Sequence, residues 1–173
     1  MATTKPALVV ADAGPLIHLD ELAALDVLSD YAAIFVPNAV WLEVQRHRPL
    51  ALQQTGVKLI RQTPPPFSAR INAITALYTL HHGEREALAL CLTHAIKLLL
   101  TDDTAARLAA KNLNITAHGT LGLLIRAVRQ NLRTPSEVLE LLAAIPQQTT
   151  LHIRPSLLND VIEQVKTEWK SEL

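Results

Sequence analysis

The residues of this chain whose types and places could do chemistry are acids that follow short apolar runs. Asp12 ends the run Ala7–Ala11, and Asp102 with Asp103 ends Lys97–Thr101. Such runs fit buried parallel strands, and in open parallel sheets binding sites form outside the carboxyl ends of the strands. If these two strands are neighbours at the sheet centre, their acids meet in one crevice. Glu43 lies about two turns past Pro37, after a second apolar run, and Glu84 and Glu86 open the segment leading into Lys97–Thr101. Several unpaired carboxylates in one pocket raise one another's pKa values. A divalent cation removes that conflict, and all-oxygen ligation suits Mg²⁺ or Mn²⁺ better than zinc. With such ions a water becomes a usable nucleophile and phosphoryl oxygens are polarised. Phosphodiester hydrolysis is therefore the chemistry to expect, and no Ser-His-Asp or Cys-His arrangement competes with it.

Each residue also has a plainer reading. Asp12 ahead of Pro15, and Asp102 or Asp103 ahead of Ala105, can serve as helix N-caps. Glu84 at a helix start is favoured by the helix dipole, and Glu43 alone reads as a surface residue. Arg107, Arg46 and Arg48 fit phosphate contacts, which position a backbone without reading sequence, or ordinary salt bridges. His81 and His82 are adjacent, so on a helix they point in different directions and read as a helix-end feature. Trp41 and Tyr78 could stack on bases, but in a chain so poor in aromatics a core role is favoured. Cys91, the only cysteine, excludes an intramolecular disulfide and a thiolate cluster, and reads as a small buried hydrophobe.

The elements that must position these groups alternate along the chain. Expected strands are Ala7–Ala11, Ile34–Val36, Val57–Arg61 as a strand or edge segment, Lys97–Thr101 and Asn114–Ala117. Expected helices are Leu16–Leu28, Ala39–Gln45, Phe67–Leu80, Glu84–Ala95, Thr104–Lys111 and Gly119–Asn131, with Gly83 as a breaker between the third and fourth. Thr134-Pro135-Ser136-Glu137 has the form of a capped helix start, and Arg154-Pro155-Ser156 opens a last amphipathic helix running to the end. Short apolar strands alternating with helices specify a three-layer α/β fold around a parallel sheet. With no repeat or long linker, residues 1–173 read as one domain, with a core of about 7–131 and C-terminal helices over about 135–171.

Sixteen basic and sixteen acidic residues cancel, so net charge makes no case for nucleic acid. The charges are nevertheless segregated. Val44–Arg70 carries five basic residues and no acid, and Thr104–Arg133 again carries five and no acid. The N-terminus lacks a signal-peptide apolar core, and no apolar stretch is long enough to span a bilayer. A cytoplasmic protein is expected.

The ordered blocks resemble those of PIN-domain proteins, in the prokaryotic branch that opens on Asp-x-Gly-Pro-Leu-Ile. Here they are Asp12-Ala13-Gly14-Pro15-Leu16-Ile17, then Val36-Pro37-Asn38-Ala39-Val40 with Glu43, then His82-Gly83-Glu84-Arg85-Glu86. Leu98-Leu99-Leu100-Thr101-Asp102-Asp103 with Ala106-Arg107 follows, and then Gly119-Thr120-Leu121-Gly122. The similarity runs from about Val9 to Ala127. It implies a PIN-like fold with a central parallel sheet, a Mg²⁺- or Mn²⁺-dependent ribonuclease site acting on RNA, often a homodimer, and in many relatives a toxin neutralised by an antitoxin. Asp12, Glu43 and Glu84 would be metal-binding, catalytic carboxylates. The fourth would be Asp103 when aligned on Thr101 or Asp102 when aligned on the strand end, and Glu86 is a weaker candidate. Where many relatives have Ser or Thr, this chain has Gly14, without a hydroxyl for metal-bound water.

Overall fold

The computed structural model describes residues 7–173; the segment Met1–Pro6, read above as lacking a signal peptide, lies outside the described residues. Five strands form one parallel sheet: β1 Leu8–Ala11, β2 Ala33–Pro37, β3 Leu59–Gln62, β4 Leu98–Leu100 and β5 Thr116–His118, in the order β3-β2-β1-β4-β5. β1 is central, with Val10 in register with Phe35 on one side and Leu99 on the other. Its apolar run follows from this position. Val9 and Ala11 enter one hydrophobic cluster while Val10 enters the cluster on the opposite face, so neither side chain direction meets water.

Eight α-helices cover the sheet among the described residues: α1 Ala13–Glu21, α2 Asn38–His47, α3 Ala69–Leu77, α4 His82–Thr93, α5 Thr104–Asn112, α6 Thr120–Arg129, α7 Pro135–Gln148 and α8 Pro155–Glu168. Leu16, Val40, Val44 and Leu124 from α1, α2 and α6 pack in the first cluster, joined by Leu142 of α7 and by Leu158 and Val165 of α8. Ile71, Leu88, Cys91 and Ala109 from α3, α4 and α5 pack in the second. The three-layer α/β fold is thus present, and the last helix docks on the body through Leu158 and Val165. No helix of the described residues is long and apolar enough to cross a membrane.

From β1 the chain winds outward to β2 and β3, then returns across the sheet to β4 and β5 on the other side. The strand order therefore reverses between β1 and β4, the switch point at which open α/β sheets leave a crevice. Both acidic strand ends border it.

Several boundaries differ from the sequence reading for one shared reason. Ala23, Ala95, Asn114 and Asn131 have φ of 51°, 53°, 56° and 56°, and each directly follows the C-cap of a helix. The next amide then bonds back to the helix, Ala24 N to Leu19 O at 2.8 Å and Ile96 N to Cys91 O at 2.9 Å, with Ile115 to Ala110 and Leu132 to Ala127 alike. This is the Schellman closure, in which glycine is the usual left-handed residue. With alanine or asparagine there instead, the stop signal is weak. So the expected helix Leu16–Leu28 is two pieces, α1 and a 3₁₀ turn at Leu25–Leu28, and β5 begins at Thr116 because Asn114 is consumed by the closure. The last helix stops at Glu168 and does not run to the end.

Gly83 does not break a helix. It is the second residue of α4, where a Cβ would stand 3.1 Å from Val40 Cγ2. Its smallness serves the close approach of α4 to α2, and the interruption falls after α3, at Tyr78–His81. The start of α7 is as read, with Thr134 Oγ1 accepting from Glu137 N at 3.2 Å and Glu137 Oε2 accepting from Thr134 N at 2.7 Å.

Candidate metal centre

Asp12 lies directly beyond β1, and its amide donates to Leu100 O at 2.8 Å, which fixes it against the end of β4. It caps α1, accepting from the Ala13 amide at Oδ1 (2.9 Å) and from the Thr101 hydroxyl at Oδ2 (2.9 Å). Cap and candidate ligand are therefore the same residue, because each carboxylate oxygen has two lone pairs. Burial pushes its carboxyl up to about 7. The two hydrogen bonds oppose that rise, while the charges of Glu84 and Glu43 add to it.

Asp102 and Asp103 follow β4 but face different partners. Asp103 caps α5, its Oδ1 accepting from the Ala106 amide at 2.7 Å, and its own amide donates to Thr101 Oγ1 at 3.2 Å. Asp102 is held by three donors: Thr120 N on Oδ1 at 2.6 Å, and Thr120 Oγ1 at 2.6 Å and His18 Nδ1 at 2.8 Å on Oδ2. It thereby ties α1 and the start of α6 to the end of β4. Gly119 precedes that contact, and a Cβ there would meet Asp102 Oδ1 at 2.6 Å and Arg107 Nη1 at 3.1 Å. Gly14 faces the same carboxylate from α1, with room for a Cβ 3.4 Å from Asp102 Oδ2.

Glu84 is buried at the start of α4 and accepts from the His81 amide at 2.7 Å, with His81 Nδ1 3.3 Å away. That hydrogen bond and the Glu84 charge raise the His81 pKa. Glu43 is exposed on α2. Asp12, Glu43, Glu84, Asp102 and Asp103 all line one cleft of about 440 Å³, together with His18, His81 and Gly14. Glu86 points elsewhere: it accepts from the Ala39 amide at 2.8 Å and pairs with His82 at 3.1 Å, so it joins α4 to the start of α2.

The basic residues sort themselves as well. Arg48 is bound by Asp20 at 2.6 Å, and Arg46 is exposed on α2. Arg126, Arg129 and Arg133 pair with Asp30, Glu168 and Asp26, so most of the second basic run is structural. Arg107 is exposed beside Gly119. The His118 pKa is lowered by burial and then by the charges of Arg126 and Arg107. Trp41 and Tyr78 are half-buried against the two clusters, the core role expected of them.

Sequence reasoning missed Thr101, Thr120 and His18 as parts of the site. The contacts that make them so cross 89, 18 and 84 residues of sequence, a range at which spacing carries no signal. Among the described residues, no three acidic, histidine or cysteine side chains stand close enough to form a ready-made ion cage. The donor set nevertheless fits a hard divalent cation. It is all oxygen at five carboxylates, and a buried anion beside two further negative charges is stabilised by a positive one.

A parallel α/β sheet with carboxylates gathered at its switch point places this chain among α/β folds that keep their binding site at the carboxyl ends of the strands. A family model described as PIN domain matches residues 8–167, and the chain belongs to that family. PIN domains are generally nucleases that use divalent metal ions. No curated protein matches the chain.

Proposed function

We propose that this protein is an endoribonuclease that hydrolyses RNA phosphodiester bonds with Mg²⁺ or Mn²⁺ held by Asp12, Glu43, Glu84 and Asp103. The observation that carries this reading is Asp12: a buried carboxyl, raised to about 7 by that burial, in a cleft that four more carboxylates line with it. An acid so placed favours a cation partner over an empty pocket. Asp103 is preferred to Asp102 because it accepts one hydrogen bond among the described residues and its Oδ2 accepts none, whereas Asp102 accepts three, two of them on Oδ2.

A divalent ion in the cleft supplies activation of water and neutralisation of phosphoryl charge. The chain's own residues do the positioning. Thr101 fixes the Asp12 carboxylate and the Asp103 backbone together, Thr120 and His18 hold Asp102 as the brace between α1 and α6, and Arg107 supplies a cation beside the cleft. The proposal extends to the role of a toxin, working as a homodimer and restrained by a protein antitoxin. Growth arrest on induced expression, relieved by Asp12→Asn, tests that extension.

The deciding experiment is cleavage of a labelled single-stranded RNA with Mn²⁺ or Mg²⁺, beside EDTA and Asp12→Asn. Cutting that needs both metal and Asp12 is the expected result; cutting that survives Asp12→Asn refutes the mechanism. A second reading, a non-catalytic nucleic-acid-binding module, draws support from the open spacing of the carboxylates. It predicts RNA binding with no cleavage and no site-specific Mn²⁺ binding by calorimetry.

A further inference from the structure

At Asp102 the carboxylate cleft meets a second depression, of about 510 Å³. That depression shares Arg107 and Ala117 with a third, of about 550 Å³, which reaches Lys111 and Asn114. Through these shared residues the three depressions follow one another from the acids along the outer edge of β5 and α5, and this run is called the channel below. Its far wall is the linker between α7 and α8, Leu151–Arg154. The linker is fastened to α1, where the Thr150 amide and hydroxyl donate to Glu21 at 2.9 and 3.0 Å.

The channel's charge differs from that of its surroundings. Arg107, Lys111 and Arg154 line it, and among the described residues none of the three is in a salt bridge. Arg107 and Lys111 are four apart on α5 and so share one face. The single carboxylate bordering the channel is Asp102, whose oxygens already accept three hydrogen bonds. The opposite flank of the cleft offers Glu21, Glu43 and an Arg48 already bound to Asp20. A polyanion drawn to a cleft of carboxylates needs cations close by, and of the arginines and lysines that line the two flanking depressions only those of the channel are unpaired among the described residues.

We infer that this channel carries the backbone of a single RNA strand away from the carboxylate cleft, with Arg154, Arg107 and Lys111 as successive phosphate contacts. The inference rests on the ribonuclease reading of the cleft. Leu121, Ile153 and Leu157 line the same depression and give unpaired bases an apolar surface. Binding through the three cations is sequence-tolerant, because phosphate contacts position a strand without reading it.

The test is the affinity of a fluorescein-labelled, mixed-sequence single-stranded RNA in EDTA, measured across a KCl series. Wild type is compared with Arg154→Gln, Lys111→Gln, the pair combined, and Arg70→Gln on α3 as a control. All three altered side chains are exposed, and a thermal melt run on each protein checks that folding is unchanged. Each lost phosphate contact lowers the slope of log affinity against log salt by about 0.7. The expected result is a fall of about 0.7 for each single variant and about 1.4 for the pair, with none for Arg70→Gln. Wild-type slopes in both channel variants overturn the inference, as does an absence of RNA binding by the wild type. A slope lost instead in Arg46→Gln/Arg48→Gln overturns it too, by moving the strand to the other flank. Wild-type cleavage with Mn²⁺, scored separately, keeps the two readings apart. Cleavage with unaltered slopes sinks the channel alone, and altered slopes without cleavage sink the nuclease alone.

Discussion

The Thr101 hydroxyl donates to Asp12 Oδ2 at 2.9 Å and accepts from the Asp103 amide at 3.2 Å, so one buried side chain joins the two strand-end acids across the switch point. Thr101 is completely buried, and valine has its shape without its hydroxyl. Thr101→Val is expected to destabilise the protein by about 1–2 kcal/mol, as an acceptor loses its donor inside the fold. Because that hydrogen bond lowers the Asp12 pKa, its loss moves the pH profile of cleavage to higher pH. Thr101→Ser restores the profile. A chemical denaturation series and a pH–rate curve read the two effects separately.

Asp12 makes the metal-free protein pH-sensitive in an unusual direction. Its folded carboxyl is raised from 3.8 to about 7, so the folded state binds the proton more tightly than the unfolded one. The stability this gives is fully present below pH 3.8 and is lost as pH rises through about 7, amounting to about 4 kcal/mol for a shift of this size. Asp12→Asn removes the dependence. In EDTA the variant is therefore expected to be more stable than wild type at pH 8 and nearly equal at pH 4, measured by urea unfolding. Equal stabilities at pH 8 would show that Asp12 carries no buried charge.

Metal binding should follow the same group. Ligand carboxylates must be ionised to bind a cation, so Mn²⁺ affinity is expected to fall about tenfold per pH unit below 7, with release of a proton. Calorimetry in two buffers of different ionisation enthalpy counts that proton. An affinity flat from pH 5 to 8 argues against Asp12 as a ligand.

Two neighbouring glutamates should separate cleanly. Glu84 lines the cleft, whereas Glu86 accepts from the Ala39 amide and pairs with His82. Glu84→Gln is expected to weaken Mn²⁺ binding and abolish cleavage. Glu86→Ala is expected to cost about 1–2 kcal/mol of stability through the lost cap, with Mn²⁺ affinity at the wild-type level in the folded protein.

The two glycines against Asp102 differ in the same way. Gly119→Ala drives a Cβ to 2.6 Å from Asp102 Oδ1, with Thr101 O at 3.3 Å behind it. Displacement of Asp102 and loss of most cleavage are expected. Gly14→Ala meets the same carboxylate at 3.4 Å, an ordinary contact, and should leave both folding and cleavage close to wild type. Similar activity in the two variants would mean that the position of Asp102 does not matter.

By itself the sequence determined the layer order and the acids. β1 and β4 are legible because a strand covered on both faces is apolar at every position, and Asp12, Asp102 and Asp103 follow as the first acidic residues beyond them. The start of α7 is legible because its cap is local, made by Thr134 and Glu137 three residues apart. The ends of α1, α4 and α6 were not, since alanine and asparagine stand where glycine would mark the left-handed residue. Spacing did not separate Glu84 from Glu86, since both open one helix, and only the family resemblance ranked Glu86 the weaker candidate. Only the tertiary structure decided that one faces the cleft and the other caps α2. It also decided which arginines are free, by bringing Asp20, Asp26, Asp30 and Glu168 to four of them. Strands and caps are set by neighbours a few residues away, whereas the brace on Asp102 and the pairing of charges depend on contacts between segments that only folding brings together.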